Sequence, residues 1–145
     1  MKRHESLIPL SRFHRSCLFL ALIAKQNAPP VKGYPTAIDE KILYAKSFYQ
    51  RQLKPHFALE SKLWEYVESK TDSLLEIVSD LRQERIQLIA LFESLTTNNA
   101  AAFYEMGALL EKHVRKEERV LFQQIQTDLS EEELLHIQSH LFASE

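Results

Sequence analysis

Two pairs of residues in this sequence have the types and spacing to bind a metal ion. A histidine precedes a glutamate by four positions in each, first as His56 and Glu60 and again as His113 and Glu117. In an α-helix such residues share one face, so each pair can direct an imidazole and a carboxylate at one point. Helical bundles that hold paired metal ions use this combination. The same spacing serves surface His–Glu pairs worth roughly 0.2–0.5 kcal/mol, so metal binding requires that the two pairs converge.

Two further residues could complete such a site. His14 lies near the middle of the first predicted helix, which offers no other inward polar group. Glu84 lies between Leu81 and Leu88 at helical spacing and therefore shares their apolar face. A buried carboxylate needs a partner, and a cation would serve. The alternatives, a core histidine with an ordinary partner and a partly solvated glutamate, stay open at this point.

The elements that must position these residues are helices. The chain of 145 residues contains only two glycines, which argues against an all-β fold with many tight turns. Leu, Glu, Lys, Ala and Gln are abundant and favour helices. The length suits one domain over residues 1–145. We therefore expect an all-α fold, an up-and-down antiparallel four-helix bundle with a short extra C-terminal helix.

Turn and capping residues divide the chain into five predicted helical segments. They cover approximately residues 10–26, 36–70 and 73–95, then the stretch from the 96–99 turn to about 126, and the chain from 130 onward. Three Ser/Thr residues resemble the start of a capping box: Thr36 with Asp39, Ser73 with Glu76, and Ser130 with Glu133. Pro55 lies inside the second segment, where it predicts either a kink or a break between two shorter helices.

Charge and apolar runs favour a cytoplasmic protein. The formal net charge is −2, from 18 basic and 20 acidic residues, so no global field recruits nucleic acid or an anionic membrane. The apolar run 17–24 is shorter than the ~20 residues needed to cross a bilayer. A signal peptide is the less favoured alternative, because no small-residue cleavage site follows that run. The only cysteine, Cys17, is expected to be a small buried hydrophobe, with a thiolate ligand as the alternative.

Residues 3–14, 55–60 and 110–122 resemble the hemerythrin-like, or HHE cation-binding, proteins. The third stretch is the most specific, since family members repeat a His followed by a Glu-Glu pair and then Leu-Phe. The resemblance implies a four-helix bundle with a non-haem iron centre, commonly two irons bridged by carboxylates and an oxygen atom. Such centres bind or sense O2, respond to nitric oxide or peroxide, or handle iron itself.

Carried over to this chain, the resemblance implies a set of metal ligands. They are His14, His56, Glu60, His113 and Glu117. Glu118 competes with Glu117, because the family's second carboxylate falls four or five residues after its histidine; otherwise Glu118 is expected to hold an imidazole N–H. Where the family usually has Glu-His-Arg, this chain has Gln83-Glu84-Arg85, so Glu84 stands in place of a histidine.

The replacement of an imidazole by a carboxylate changes the expected metal chemistry. Carboxylates favour harder ions, so Glu84 as a ligand should lower the reduction potential of bound iron or admit manganese, whereas imidazole suits iron, copper and zinc. The alternative is a degenerate site that binds one ion weakly or none.

The leading functional prediction is a hemerythrin-like protein that binds iron together with a diatomic ligand such as O2, or peroxide. No separate acid, base or nucleophile accompanies the site, so binding or sensing is favoured over catalysis. The competing class is an interaction or regulatory bundle whose metal is structural or absent. The apolar stripe of the fifth helix either covers the bundle or binds a second subunit in a homodimer.

Overall fold

The computed structural model describes residues 2–141, and within that range it contains helices and no strands. A short 3₁₀ turn, Glu5–Leu7, leads into the first helix. The helices are α1 (Ile8–Ile23), α2 (Ile38–Phe48), α3 (Lys54–Val67), α4 (Asp72–Glu93), α5 (Ala100–Lys116), α6 (Phe122–Asp128) and α7 (Glu131–His136). The predicted all-α class is confirmed.

Single π-helical turns join two of these helix pairs into longer rods. Tyr49–Leu53 connects α2 to α3, and Glu117–Leu121 connects α5 to α6. The four rods of the bundle are therefore α1, α2–α3, α4 and α5–α6, packed against one another. Pro55 falls in the first turn of α3, where its missing N–H is tolerated. The rod continues through a π-helical turn just before Pro55, so the chain does not break there into two separate helices.

Helix caps agree with only part of the sequence prediction. Thr71, rather than Ser73, caps α4, and its hydroxyl accepts a hydrogen bond from the N–H of Leu74. The helix α2 begins after Ala37 with no side-chain cap, so the capping box predicted at Thr36 is wrong. The capping box of Ser130 and Glu133 is present at the start of α7. Helix starts that lack a strong pattern are set by packing as much as by local sequence.

The apolar interior consists of two clusters, one toward each end of the bundle. One includes Leu20, Phe92 and Phe103, and the other includes Trp64 and Phe122. Leu134 and Ile137, from α7 and the turn after it, are buried in the second cluster. Within the described part of the fifth predicted segment, these two residues cover the bundle, whereas Leu135 is exposed; residues 142–145 lie outside the described residues. The buried polar residues, apart from Ser6 in the 3₁₀ turn, occupy the layer between the two clusters.

Helix α1 packs very closely on α5. A Cβ atom added at Gly107 would lie 2.4 Å from the Cβ of Ala24, so only glycine fits this crossing.

The stretch Glu5–Ile23 is long and apolar enough, by length and composition alone, to cross a membrane. The apolar run 17–24 is shorter than this stretch, so the predicted length of the apolar segment was too small. Core helices pass the same test, and 44% of the window concerned is buried inside the protein.

Candidate metal centre

The middle layer of the bundle collects the predicted site residues. Seven of the described residues are both buried and polar or charged, and six of these were predicted as metal ligands. The six are His14, His56, Glu60, Glu84, His113 and Glu117. All four rods contribute. His14 lies on α1, His56 and Glu60 lie on α3, Glu84 lies on α4, His113 lies on α5, and Glu117 begins the π turn after α5. The two His–Glu pairs therefore converge, as metal binding requires.

The first group of donor atoms consists of His14, His56 and Glu60. Oε2 of Glu60 lies 3.3 Å from Nε2 of His14 and 3.2 Å from Nε2 of His56. Oε1 of Glu117 lies 3.6 Å from the same nitrogen of His14. Donor atoms this close together, from three separate rods, can surround one cation.

The second group shares Glu60 with the first and adds His113 and Glu117. Nε2 of His113 lies 3.4 Å from Oε1 of Glu117, one helical turn later. Both side chains are about 1% exposed, so their polar atoms cannot turn to solvent. Glu60 is the residue that the two groups share, so its carboxylate could contact an ion held by either group.

Several atoms in this layer lack a hydrogen-bond partner. Five buried side-chain atoms of the described residues make no hydrogen bond: Nε2 of His56, Nε2 of His113, Oε2 of Glu117, Nε1 of Trp64 and Nε of Arg85. The two imidazole nitrogens lie 3.2 and 3.4 Å from carboxylate oxygens, but without the geometry of a hydrogen bond. The first three atoms belong to the predicted site. An unsatisfied buried polar group costs roughly 1–3 kcal/mol, so three in one layer need an explanation. All three belong to donor types that bind iron, manganese or zinc. The residues present fit a metal ion.

Glu118 supports His14 from outside the first group. Its Oε2 lies 2.6 Å from Nδ1 of His14, and its carboxylate also accepts hydrogen bonds from Ser11 and Arg3. This contact leaves Nε2 of His14 to face the centre. The geometry favours the orienting role expected for Glu118 over its role as a rival ligand to Glu117, since such carboxylates fix the ring and tautomer of metal-binding histidines.

Glu84 makes the equivalent contact on the opposite side. Its Oε1 lies 3.1 Å from Nδ1 of His113, and its Oε2 lies 3.6 Å from the ammonium of Lys112 and 4.0 Å from that of Lys116. Both oxygens are thus directed away from the shared centre, and Glu84 belongs to neither group of donor atoms. This contact favours a role for Glu84 in orienting His113, rather than the role of metal ligand that the position of Glu84 in the sequence predicted.

Arg85 lies next to the predicted metal site, although the sequence alone did not identify it as a site residue. Its Nη2 lies 3.3 Å from Oε1 of Glu60, and its guanidinium carbon lies 3.8 Å from the centre of a ring of Trp64. A signal was present, because Arg85 falls four residues after Leu81 and three before Leu88, on the apolar face of α4. Burial lowers the pKa of Arg85 from its ordinary value, although Glu60 and Glu117 oppose this effect.

The charges of the layer are strongly coupled. Burial alone would lower the pKa of His14, but hydrogen bonds to Glu118 and Glu60 raise it to about 9. Burial would likewise raise the pKa of Glu60, yet His56, Glu117 and His14 hold it well below its ordinary range. Burial and the nearby charge of Glu60 raise the pKa of Glu117 well above its ordinary value. In the metal-free protein these shifts favour a protonated His14, with the carboxylates of Glu118 and Glu60 on either side of its ring.

Cys17 lies near this layer without belonging to it. Its thiol is about 1% exposed and packs in the same apolar cluster as Leu20. Burial, together with Glu60 and Glu117, raises the pKa of the thiol well above its ordinary value. A neutral thiol is the expected form, which agrees with the prediction of a small buried hydrophobe.

Comparison with known protein families identifies the family of this chain. The model of the hemerythrin HHE cation-binding domain matches residues 14–125 of this chain. The chain belongs to the hemerythrin family. All seven predicted site residues fall inside the matched hemerythrin domain, including Glu84 and Glu118. No curated protein and no solved structure matched the chain in the corresponding searches.

Membership of the hemerythrin family agrees with the geometry of the site. The family model describes cation binding, and the shared middle layer provides two groups of His and Glu donor atoms. The chain is a hemerythrin-type helical bundle whose buried His/Glu layer is compatible with a metal ion.

Proposed function

We propose that this protein is a hemerythrin-like non-haem iron protein that binds or senses O2 or a related small oxidant. The observation that carries the proposal is the convergence of unsatisfied buried donor atoms, with Nε2 of His56 and Oε2 of Glu117 among them. A metal ion would bind these atoms and remove the cost of burying them unpaired.

The donor set supports iron as the physiological ion. Two imidazoles and a carboxylate, here His14, His56 and Glu60, are the combination typical of non-haem iron sites. Iron bound there would supply a redox-active centre able to bind O2. The chain's own residues supply orientation, since Glu118 fixes the ring of His14, and they exclude water through the apolar clusters on both sides.

A cleft beside His56 supports a small ligand of low polarity. Its volume is about 260 Å³, and it lies where α1 meets the second rod. Apart from Gln52 and His56, the residues that line it are apolar: Pro9, Leu10, Phe13, Pro55 and Leu59. A second groove, of about 460 Å³, reaches Glu118 and the side of His14 that faces it, but charged residues such as Arg15 and Arg115 line it. The apolar cleft is the better route for a diatomic molecule.

The test is the metal content and ligand response of the purified protein. Protein expressed in iron-supplied medium should contain iron by elemental analysis. Its visible absorption should change on exposure to O2 or nitric oxide. His56→Leu removes one donor nitrogen at similar side-chain volume and should lose most of the iron. His140→Gln, on an exposed residue outside both groups, is the control and should retain it.

Two results would contradict the proposal. A colourless, metal-free protein that is stably folded would favour the competing class, a helical interaction or regulatory bundle. Equal iron content in His56→Leu and His140→Gln would show that the iron binds elsewhere.

A further inference from the structure

The carboxylate of Glu118 is held in place by an arginine far from it in the sequence. Its Oε2 lies 2.6 Å from Nδ1 of His14, and its Oε1 accepts a hydrogen bond of 3.0 Å from Nη2 of Arg3. Ser11 donates its hydroxyl to the same carboxylate. The side chain of Glu118 is 25% exposed, so water competes for these oxygens. A charge-assisted hydrogen bond withstands this competition better than a neutral one.

Arg3 contacts the backbone of Glu118 as well as its side chain. The same nitrogen, Nη2, donates to the carbonyl oxygen of Glu118 at 2.9 Å. One guanidinium therefore fixes the carboxylate relative to the main chain that carries it. That main chain is the π turn Glu117–Leu121, which begins at a buried residue of the site. A guanidinium presents its N–H groups in a rigid plane and keeps its charge at all ordinary pH values, which suits a constant contact.

Arg3 is anchored in turn by the side-chain amide of Gln126. This amide accepts a hydrogen bond from the backbone N–H of His4 at 3.0 Å and donates to the carbonyl of Lys2 at 2.7 Å, on the two sides of Arg3. Its Oε1 also lies 3.4 Å from Nη1 of Arg3. The guanidinium carbon lies 5.1 Å from the ring centre of Phe122. The chain segment before α1 is therefore fixed on the rod α5–α6, and the side chain of Arg3 is only 20% exposed.

We infer that Arg3 is a positioning residue of the metal centre, because it holds Glu118, which in turn holds the ring of His14. This inference rests on the proposed function. Arg3 and Gln126 both lie outside residues 14–125, the part of the chain that matches the family model. The segment from residue 2 to residue 7 contributes no donor atom to either group, yet it fixes the carboxylate that orients one of them.

The effect of Arg3 should be smaller than that of Glu118 itself. In Arg3→Gln the contacts of Ser11 and His14 with the carboxylate remain, so the imidazole keeps its partner in a looser arrangement. Metal affinity should fall by about 3–10-fold, less than the roughly 10–100-fold that removal of a supporting carboxylate costs. Because Arg3 acts through Glu118, its effect should also depend on the presence of Glu118.

The experiment measures Fe²⁺ affinity by anaerobic competition against a chelator, in a double-mutant cycle. Arg3→Gln should weaken binding by about 3–10-fold when Glu118 is present. In the Glu118→Ala background the same change should alter the affinity by less than about twofold, because the contact through which Arg3 acts is gone. Arg12→Gln, on an exposed arginine of α1, is the matched control and should bind as the wild type does.

The outcomes separate the inference from the proposed function. An equal loss of affinity in both backgrounds would overturn the inference, because a residue that only stabilises the fold weakens binding whether or not Glu118 is present. Unchanged affinity in Arg3→Gln would overturn it as well. Either result leaves the proposed iron protein intact, whereas a wild-type protein that binds no Fe²⁺ tightly would overturn both.

A second variant covers the case in which Arg3→Gln does not fold. Gln126→Leu keeps the arginine and the carboxylate but removes the amide that anchors the segment around Arg3. It should weaken Fe²⁺ binding by about 2–5-fold when Glu118 is present and have no measurable effect in Glu118→Ala. A loss of the same size in the two backgrounds, or no loss in either, would contradict the inference.

Discussion

Glu118 lies 2.6 Å from Nδ1 of His14, in a contact that turns the other ring nitrogen of His14 toward the centre of the bundle. The opposite end of the layer repeats the arrangement with His113, whose Nδ1 contacts a carboxylate of α4 at 3.1 Å. Each outer carboxylate thus positions one imidazole. The two contacts are chemically alike but serve different groups of donor atoms.

Because of this difference, we expect Glu118→Gln and Glu84→Gln to have unequal effects. Glu118 orients a donor of the first group, so its loss should weaken iron binding by about 10–100-fold, as is usual for such supporting carboxylates. Glu84→Gln should weaken binding several-fold less, because His113 belongs to the group that has one imidazole rather than two. Competition against a chelator measures both affinities. Glu76→Gln, on an exposed residue of α4, is the control. Equal losses in the two variants would contradict the expected asymmetry.

In the metal-free protein, Glu118→Gln should also change how stability depends on pH. The pKa of His14 is about 9 in the folded protein, above its ordinary value of 6.5. Protonated His14 therefore contributes stability that is fully present below pH 6.5 and is lost as the pH rises through 9. That contribution is on the order of 3 kcal/mol. Glu118→Gln should remove much of it, which urea unfolding at pH 6 and pH 9.5 would show. The same pH dependence in variant and wild type would contradict the prediction.

Metal binding should release protons. At pH 7 His14 carries a proton that a bound ion must displace, and the raised pKa of Glu117 favours its protonated form. We expect at least one proton released per ion, and an affinity that rises with pH toward 9. Calorimetric titration in buffers of different ionisation enthalpy counts these protons. A heat that is independent of the buffer would contradict the prediction.

The apolar cleft beside His56 gives a kinetic prediction. Leu59 is partly exposed and lines the cleft, so Leu59→Trp should fill much of its volume. Nitric oxide should bind the iron-loaded variant more slowly, by roughly tenfold or more, with the iron content unchanged. Leu75→Trp, on an exposed leucine of α4, is the control and should bind at the wild-type rate. Stopped-flow absorption measures both rates, and equal rates would exclude this cleft as the route.

The crossing of α1 and α5 gives a prediction about stability. Gly107→Ala places a methyl group 2.4 Å from the Cβ of Ala24, so the helices must separate. Overpacking of this kind costs about 1–3 kcal/mol, which chemical unfolding would detect. Ala24→Gly in the same protein removes the obstructing methyl group and should restore part of the loss. A double variant as unstable as Gly107→Ala would show that the clash lies elsewhere.

Much of the architecture follows from local sequence. Helical propensity and the scarcity of glycine predict the all-α class, and the four-residue spacing of His56 and Glu60 predicts that one helix face carries both groups. The π turns could not be predicted in this way. The π turn at Tyr49–Leu53 lies just before Pro55, which is a sequence signal for irregular helix. The π turn at Glu117–Leu121 has no such signal, because a single wide turn depends on how the helix packs against its neighbours.

The sequence by itself determined which residue types reach the interior, since helical periodicity places His14, His113 and Glu84 on apolar faces. Only the tertiary structure decided what each of them contacts. Glu84 faces His113 and Lys112, while its neighbour Arg85 reaches Glu60. Periodicity gives the direction of a side chain from its own helix, but the distance between two charged groups depends on how separate helices pack. That distance is what separates a metal ligand from a residue that orients one.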